Sequence, residues 1–164
     1  MGGVTSDNYL KITTAIKDLL GAKSRETINL IITSPGGPTG VAMSFYDLMR
    51  RVYRPVLRTI GAGDVDSAGI VLFLTGTTRF LTPHTTLLLH LAGRTFDSPR
   101  RFSTADMASI LTEDQLKDNQ YAAILAEQSG GRLETAQVLE MMTRNTVLSA
   151  DEAVAYGLAH DILP

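Results

Sequence analysis

Apolar residues recur at helical spacing near the start of the chain. Tyr9, Ile12, Ile16 and Leu19 share one face, with Ser6 or Asp7 as the cap and Gly21 as the stop. The period then changes. Thr27-Ile28-Asn29-Leu30-Ile31-Ile32-Thr33 is a short run rich in β-branched residues and predicts a buried strand. Helical spacing returns after Pro35-Gly36-Gly37, with Val41, Phe45, Leu48 and Val52 facing inward. Residues 56–60 predict the next strand. A small-residue turn, Gly61 to Asp66, leads to Ser67 and a short apolar helix over 68–74. Two further strands are expected near Arg79-Phe80-Leu81 and over 85–90. Strand and helix alternate, which predicts an α/β fold with a mainly parallel sheet and helices packed on it.

The rhythm differs in the second half. Residues 92–102 are rich in Gly, Ser, Pro and Arg and predict an exposed loop or irregular hairpin. Residues 103–129 contain neither Gly nor Pro and end at Gly130-Gly131. One long helix is expected there, longer than a small domain needs for its own core. The surplus suggests a projecting arm. A helix follows over 133–142. Ser149-Ala150-Asp151-Glu152 reads as a capping box that opens a short helix closed by Gly157. Residues 158–163 predict a last strand. No repeat or linker divides the chain.

Composition narrows the function classes. A chain of 164 residues with 44% hydrophobic residues suits one domain with a real core. A net charge of -2 gives no reason to expect a nucleic-acid partner, and Arg94, Arg100 and Arg101 read as a local solvated loop. The chain has no cysteine, which excludes disulfides, thiolate metal sites and thiol nucleophiles. The longest apolar run, from Ile70 to Leu74, is too short for a bilayer, so no membrane partner is expected. The first residues show no signal pattern, and a cytoplasmic location is the default. His84 and His160 have no partner at metal spacing, and no dinucleotide or phosphate-binding glycine pattern is present. Neither metal nor cofactor is expected.

Three features gather at strand ends. Ser67 follows one apolar strand, His90 ends another, and Ser34-Pro35-Gly36-Gly37 follows a third. Ligands and chemistry in α/β sheets collect at the carboxyl ends of strands. Read alone, Ser67 is an N-cap, His90 a strand-end histidine and the glycines a turn. Read together, Ser67 is a candidate nucleophile and His90 its base. The amides of Gly37 and Ala68 are then candidate oxyanion donors.

A resemblance supports the joint reading. Ile28-Asn29-Leu30-Ile31-Ile32-Thr33-Ser34-Pro35-Gly36-Gly37 resembles the strand and glycine turn of the Clp protease proteolytic subunit, ClpP. Ser67-Ala68-Gly69 resembles its nucleophile turn, and Leu88-Leu89-His90 its histidine strand. The segment from Leu148 to Leu158, Leu-Ser-Ala-Asp-Glu-Ala-Val-Ala-Tyr-Gly-Leu, is similar to the family's C-terminal signature. The resemblance implies a ClpP/crotonase-like α/β fold in a single domain over 1–164. Its head would comprise 1–91 and 130–164, with a projecting helical handle at about 92–129. It also implies a serine peptidase acting on peptides or unfolded polypeptide inside a homo-oligomeric ring or stacked rings. Gly36, Pro38 and Leu91 would then contact substrate.

Two departures stand out. The family's third triad member is an Asp three residues before the Leu-Ser-Ala signature, and that position here is Asn145. Asn can accept from the imidazole but cannot offset its positive charge. In serine proteases that exchange costs about 10⁴ in kcat. Asp64 and Asp66 flank the nucleophile turn, where the family usually carries small neutral residues, and could either pair with His90 or repel the oxyanion. The second departure is the start. Family members carry a longer leader before the segment matched by Gly2-Gly3-Val4, and that leader helps contact an unfoldase ATPase. Such a partner is therefore in doubt. Two rival readings remain: a non-catalytic ClpP-like ring subunit, and a crotonase-type enzyme acting on acyl-CoA.

Overall fold

The computed structural model describes residues 2–22, 26–96 and 101–164. Arg100 and part of the expected 92–102 loop lie outside the described residues. Helix α1, Ser6–Ala22, starts at the first of its two predicted caps. Thr5 Oγ1 accepts from the Asn8 amide at 3.2 Å, so Thr5 is the cap rather than Ser6 or Asp7. Its inner face runs through Tyr9, Ile12, Ile16 and Leu20. Leu19, expected inward, is 47% exposed, because the spacing 9, 12, 16, 20 keeps the stripe on one side.

Strand β1, Ile28–Ser34, alternates rather than burying both faces, and Ile31 is 56% exposed. The reason is topological: among the described residues β1 pairs only with β2, Leu57–Val65. Between them comes α2, Thr39–Asp47, which buries Ala42, Phe45 and Tyr46 and continues into a π-helical turn over Leu48–Tyr53. The wider turn changes the phase of the inward stripe. Met49 is fully buried, while Val52, expected inside, is exposed.

Strand β2 is longer than the predicted 56–60. It runs straight through Gly61-Ala62-Gly63, which sequence reads as turn. A Cβ on Gly61 would lie 2.7 Å from Leu81 Cδ2, so the strand needs glycine there to pass its neighbours. Gly63, at φ +68, lies in a bulge where the pairing moves from Ile32↔Gly61 to Ser34↔Val65. The turn itself is only Asp66-Ser67.

Helix α3, Ala68–Phe73, is buried along its length and leads to β3, Thr78–Leu81, and β4, Thr86–Leu89. The long α4, Thr104–Gln128, opens on a Ser103–Asp106 capping box. Then come α5, Thr135–Thr143, β5, Thr146–Ser149, α6, Ala150–Ala155, and the short β6, Asp161–Ile162. The Ser149–Glu152 box caps α6 as expected, and Gly157, at φ +75, follows it. Strand order is β5-β4-β2-β3-β6, with β1 also on β2. Every pairing is parallel except β4 with β5. The mainly parallel α/β reading therefore holds. The antiparallel β5 was not foreseen.

Helix α4 changes character along its length. Tyr121, Ala122, Leu125 and Gln128 are buried, where α4 packs against α2, α3 and α5. Met107, Leu111 and Leu116, nearer its start, are each more than half exposed. The lower end is tied down by Arg79, a buried side chain on β3. Its guanidinium donates to Leu158 O at 2.7 Å, Gln128 O at 2.9 Å, Gly157 O at 3.1 Å, and Gly76 O and Gln128 Oε1 at 3.3 Å. Burial first, and Arg50 second, lower its pKa to about 10, so it stays charged near neutral pH. Arg79→Met should strip these acceptors of their donor, at roughly 1–3 kcal/mol for each one left dry. We expect a loss of about 3–5 kcal/mol in urea denaturation. A variant as stable as the wild type would show that water replaces the guanidinium.

Candidate active site

Strands β1, β2 and β4 run parallel, so their carboxyl ends lie on one side. Each end hands over to one element of the site. Strand β1 leads into Pro35-Gly36-Gly37, β2 into Asp66-Ser67, and β4 into His90. Gly37, Pro38, Ser67, His90, Leu91 and Tyr121 line a common cleft of about 430 Å³. A second cleft of about 440 Å³ lies between α1 and β1. It is apolar, and neither Ser67 nor His90 reaches it, so the chemistry belongs to the first.

Ser67 is held in a conformation that capping does not require. It precedes α3 at φ 54 and ψ -128, and its side chain makes no capping hydrogen bond. A non-glycine residue in such a region costs on the order of 1–3 kcal/mol and persists only where its surroundings impose it. Those surroundings are specific. The Ser67 amide donates to Leu88 O at 2.8 Å, and its carbonyl accepts from Ile70 N at 2.9 Å and from Tyr121 Oη at 3.1 Å. The Asp66 amide donates to Ser34 O at 2.9 Å. Beneath the turn, a Cβ on Gly36 would lie 2.6 Å from Ser67 Cβ. The strained strand-to-helix turn presents a side chain at the top of the sheet, as a nucleophile elbow does.

His90 Nδ1 lies 2.7 Å from Leu91 O. A carbonyl can only accept, so Nδ1 carries a proton, which in the neutral ring leaves Nε2 with its lone pair. That is the tautomer a general base needs. Among the described residues no hydrogen bond joins Ser67 to His90, although both face the cleft. Asn145 stands at φ 50, exposed, in the turn between α5 and β5. The β4–β5 register pairs Leu89 with Thr146, and its next step would set His90 opposite Asn145. The Asn145 amide donates to Met142 O, but its side chain makes no hydrogen bond among the described residues and does not line the cleft.

Gly37 stands at φ +148, a backbone conformation that favours glycine, and a Cβ there would lie 2.3 Å from the Val4 carbonyl oxygen. Its amide and that of Ala68 donate to no acceptor among the described residues. Gly37 lines the cleft, and Ala68, next in the chain to the cleft-lining Ser67, is buried. Gly36 has both backbone groups engaged, its amide on Ser34 Oγ at 3.2 Å and its carbonyl on Val4 N at 2.7 Å. Gly36 also packs closely against Ser67, and its amide is not free for substrate. Pro38 caps α2 and, with Leu91, faces the cleft.

Three contacts were not foreseen. Tyr121 is buried at the edge of the cleft, and burial, with Asp66 second, pushes its phenol up. A buried tyrosine needs a partner for its hydroxyl, and here that partner is the nucleophile turn. Asp66 accepts from Leu88 N at 2.9 Å. Burial raises its carboxyl and Asp64 adds to this, while the Leu88 amide and His90 act the other way. Finally, the segment after His90 is pinned to α4. Ala92 N donates to Asp118 at 2.7 Å, and Arg94 bridges Glu113 at 2.6 Å and Asp114 at 2.8 Å. Arg94 and Lys117 hold the Glu113 carboxyl down at about 2. Its folded value is depressed, so this pairing is intact above the ordinary carboxylate range and fades as pH falls towards 2.

Comparison with known proteins gives a consistent result. The Clp protease family model matches residues 2–164. The chain is 32% identical over 143 residues to ATP-dependent Clp protease proteolytic subunit 1 of Thermobifida fusca, covering 86% of this chain and 62% of that protein. It is 32% identical over 146 residues to proteolytic subunit 4 of Rhodococcus jostii, covering 85% and 70%. It is 28% identical over 165 residues to the proteolytic subunit of Paracoccus denitrificans, covering 99% and 79%. The chain thus spans about three fifths of the length of the Thermobifida relative.

Proposed function

The chain belongs to the Clp protease family, and from that premise we propose that it is a serine peptidase cleaving peptides or unfolded polypeptide within an oligomeric chamber. One observation carries the reading: Ser67 is strained, free of any capping role, and shares a cleft with a histidine whose Nδ1 is already engaged. Ser67 Oγ attacks the scissile carbonyl carbon while its proton passes to His90 Nε2. The carbonyl oxygen becomes an oxyanion, and the Gly37 and Ala68 amides receive it. His90 returns the proton to the leaving amine as the C–N bond breaks. Water then attacks the acyl-serine by the same route, with His90 again as base. Leu91 O holds the ring in this conformation; for Asn145 to orient it instead, Nδ1 would have to leave that carbonyl. Pro38 and Leu91 flank the bound chain.

The same reading accounts for α4. Its first half exposes Met107, Leu111 and Leu116, and burial against a second subunit would cover them. The division into a head and a handle at about 92–129 follows from this. The missing Ser67–His90 hydrogen bond favours one alternative, a structural ring subunit that cleaves nothing.

The experiment compares a short fluorogenic peptide, a flexible casein-like protein and a stable folded protein. The first two should be cleaved. The folded protein should resist, because its peptide bonds are held out of any extended binding groove. Failure to cleave all three would favour the structural subunit. Equal rates on folded and flexible proteins would contradict the chamber.

A further inference from the structure

We propose that Asp66 is the carboxylate of this site: it locks the His90 strand onto the nucleophile turn and supplies the negative charge that Asn145 lacks. The proposal rests on the serine-peptidase reading. Its geometry begins with Leu88, which is gripped on both sides. The Leu88 amide donates to Asp66 Oδ1 at 2.9 Å, and the Leu88 carbonyl accepts from the Ser67 amide at 2.8 Å. Two neighbouring residues of the turn therefore hold one residue of β4, and His90 follows two positions on.

The side chain does what the main chain there cannot. The Asp66 amide is committed to Ser34 O and its carbonyl to Gly69 N at 2.8 Å. The β2–β4 ladder has one pair, Asp64↔Thr86. On the side of β4 that faces β2 and the nucleophile turn, loss of the Asp66 carboxylate would leave only the Ser67 bond to Leu88 near the histidine, with the β5 ladder on the other side. The clamp thus sets where His90 stands relative to Ser67.

The charge follows from the same placement. Three titratable groups are near enough to act electrostatically with Asp66: Asp64 from β2, His90 from the end of β4 and the Tyr121 phenol from α4. Only His90 can carry the opposite charge. As Ser67 gives up its proton, the ring becomes an imidazolium, and a nearby carboxylate lowers the energy of that state. An amide at position 145 cannot. Asp66 acts through His90 and touches no reacting atom, so it is a positioning residue.

Asp66→Asn separates the two effects, since it keeps an oxygen for the Leu88 amide and removes the charge. We expect kcat on the fluorogenic peptide to fall by about tenfold, with KM and melting temperature close to wild type. The His90 ring, followed by NMR and assigned with His90→Gln, should titrate at lower pH in the variant. Asp66→Ala loses the clamp as well and should fall further in both kcat and stability. Wild-type kcat and an unchanged His90 titration in Asp66→Asn would overturn the proposal. The coupling is also readable without altering Asp66. Its carboxyl signal should show a step at the pH where His90 titrates, and that step should vanish in His90→Gln. A carboxyl signal blind to His90 overturns the proposal. These titrations need no activity, so a wild type that cleaves nothing would sink the peptidase reading while the Asp66–His90 coupling was still decided.

Discussion

Ser67→Ala is expected to abolish peptide hydrolysis, a fall of about 10⁴-fold or more, while leaving the fold and its melting temperature unchanged. The two halves come from one observation. Ser67 Oγ makes no capping hydrogen bond, so its removal takes no hydrogen bond from the folded state. Alanine meets the same positive φ as serine, so the strain of the turn is retained. A capping serine behaves differently: its loss costs about 1 kcal/mol of stability and no catalysis. Kinetics on a fluorogenic peptide, with a thermal melt beside them, separate the two. A variant that hydrolyses at the wild-type rate would remove Ser67 from the mechanism.

Gly36→Ala should be the next most damaging change, lowering kcat by about 10²-fold or more. The new Cβ would sit 2.6 Å from Ser67 Cβ and 3.1 Å from both Ser67 Oγ and Asp66 O, at a φ of +94 that alanine resists. The turn cannot simply step back. Its carbonyl is bonded to Val4 N, and its amide to Ser34 Oγ. Either the nucleophile moves or the turn pulls residue 4 with it. Gly40→Ala is the matched control, because no neighbouring atom lies within 4 Å of a Cβ there and that residue is helical. It should leave kcat unchanged and the melting temperature equal or higher. Steady-state kinetics on the pair decide the point. Near-wild-type kcat in Gly36→Ala would mean that the glycine turn does not support Ser67.

The parts of this molecule that could be read in advance are those encoded by local pattern. The strand-helix alternation of the first half, the uninterrupted α4 and the Ser149–Glu152 box are each written in consecutive residues. Where reading failed, a non-local cause intervened. Strand β1 reads as fully buried, yet it pairs only with β2 among the described residues, and Ile31 faces out. Val52 keeps helical spacing, yet a π-helical turn changes the phase before it. Gly61-Ala62-Gly63 reads as turn, yet close packing against Leu81 makes it strand. Strand β5 is four residues long and lies between α5 and a capping box, too short for alternation to show.

The site divides in the same way. Ser67, His90 and Gly37 could be placed together because each follows a strand of one parallel sheet. Asn145 could be found only through family resemblance, since nothing local marks it. The contacts that hold the site were invisible for a simple reason. Leu88 and Leu91 contribute peptide groups, and those of any residue type look alike in sequence. Tyr121 lies 54 residues from the carbonyl it supports. Its one signal was a hydroxyl on the buried half of α4.

The most direct test of the account is the position of a fluorophosphonate adduct, read by mass spectrometry after peptide mapping. The probe needs an activated serine beside a competent base, which is the arrangement assigned to the cleft. One adduct per chain is expected, on Ser67, and none in His90→Gln. An unmodified wild-type chain, or an adduct on any other residue, would contradict it.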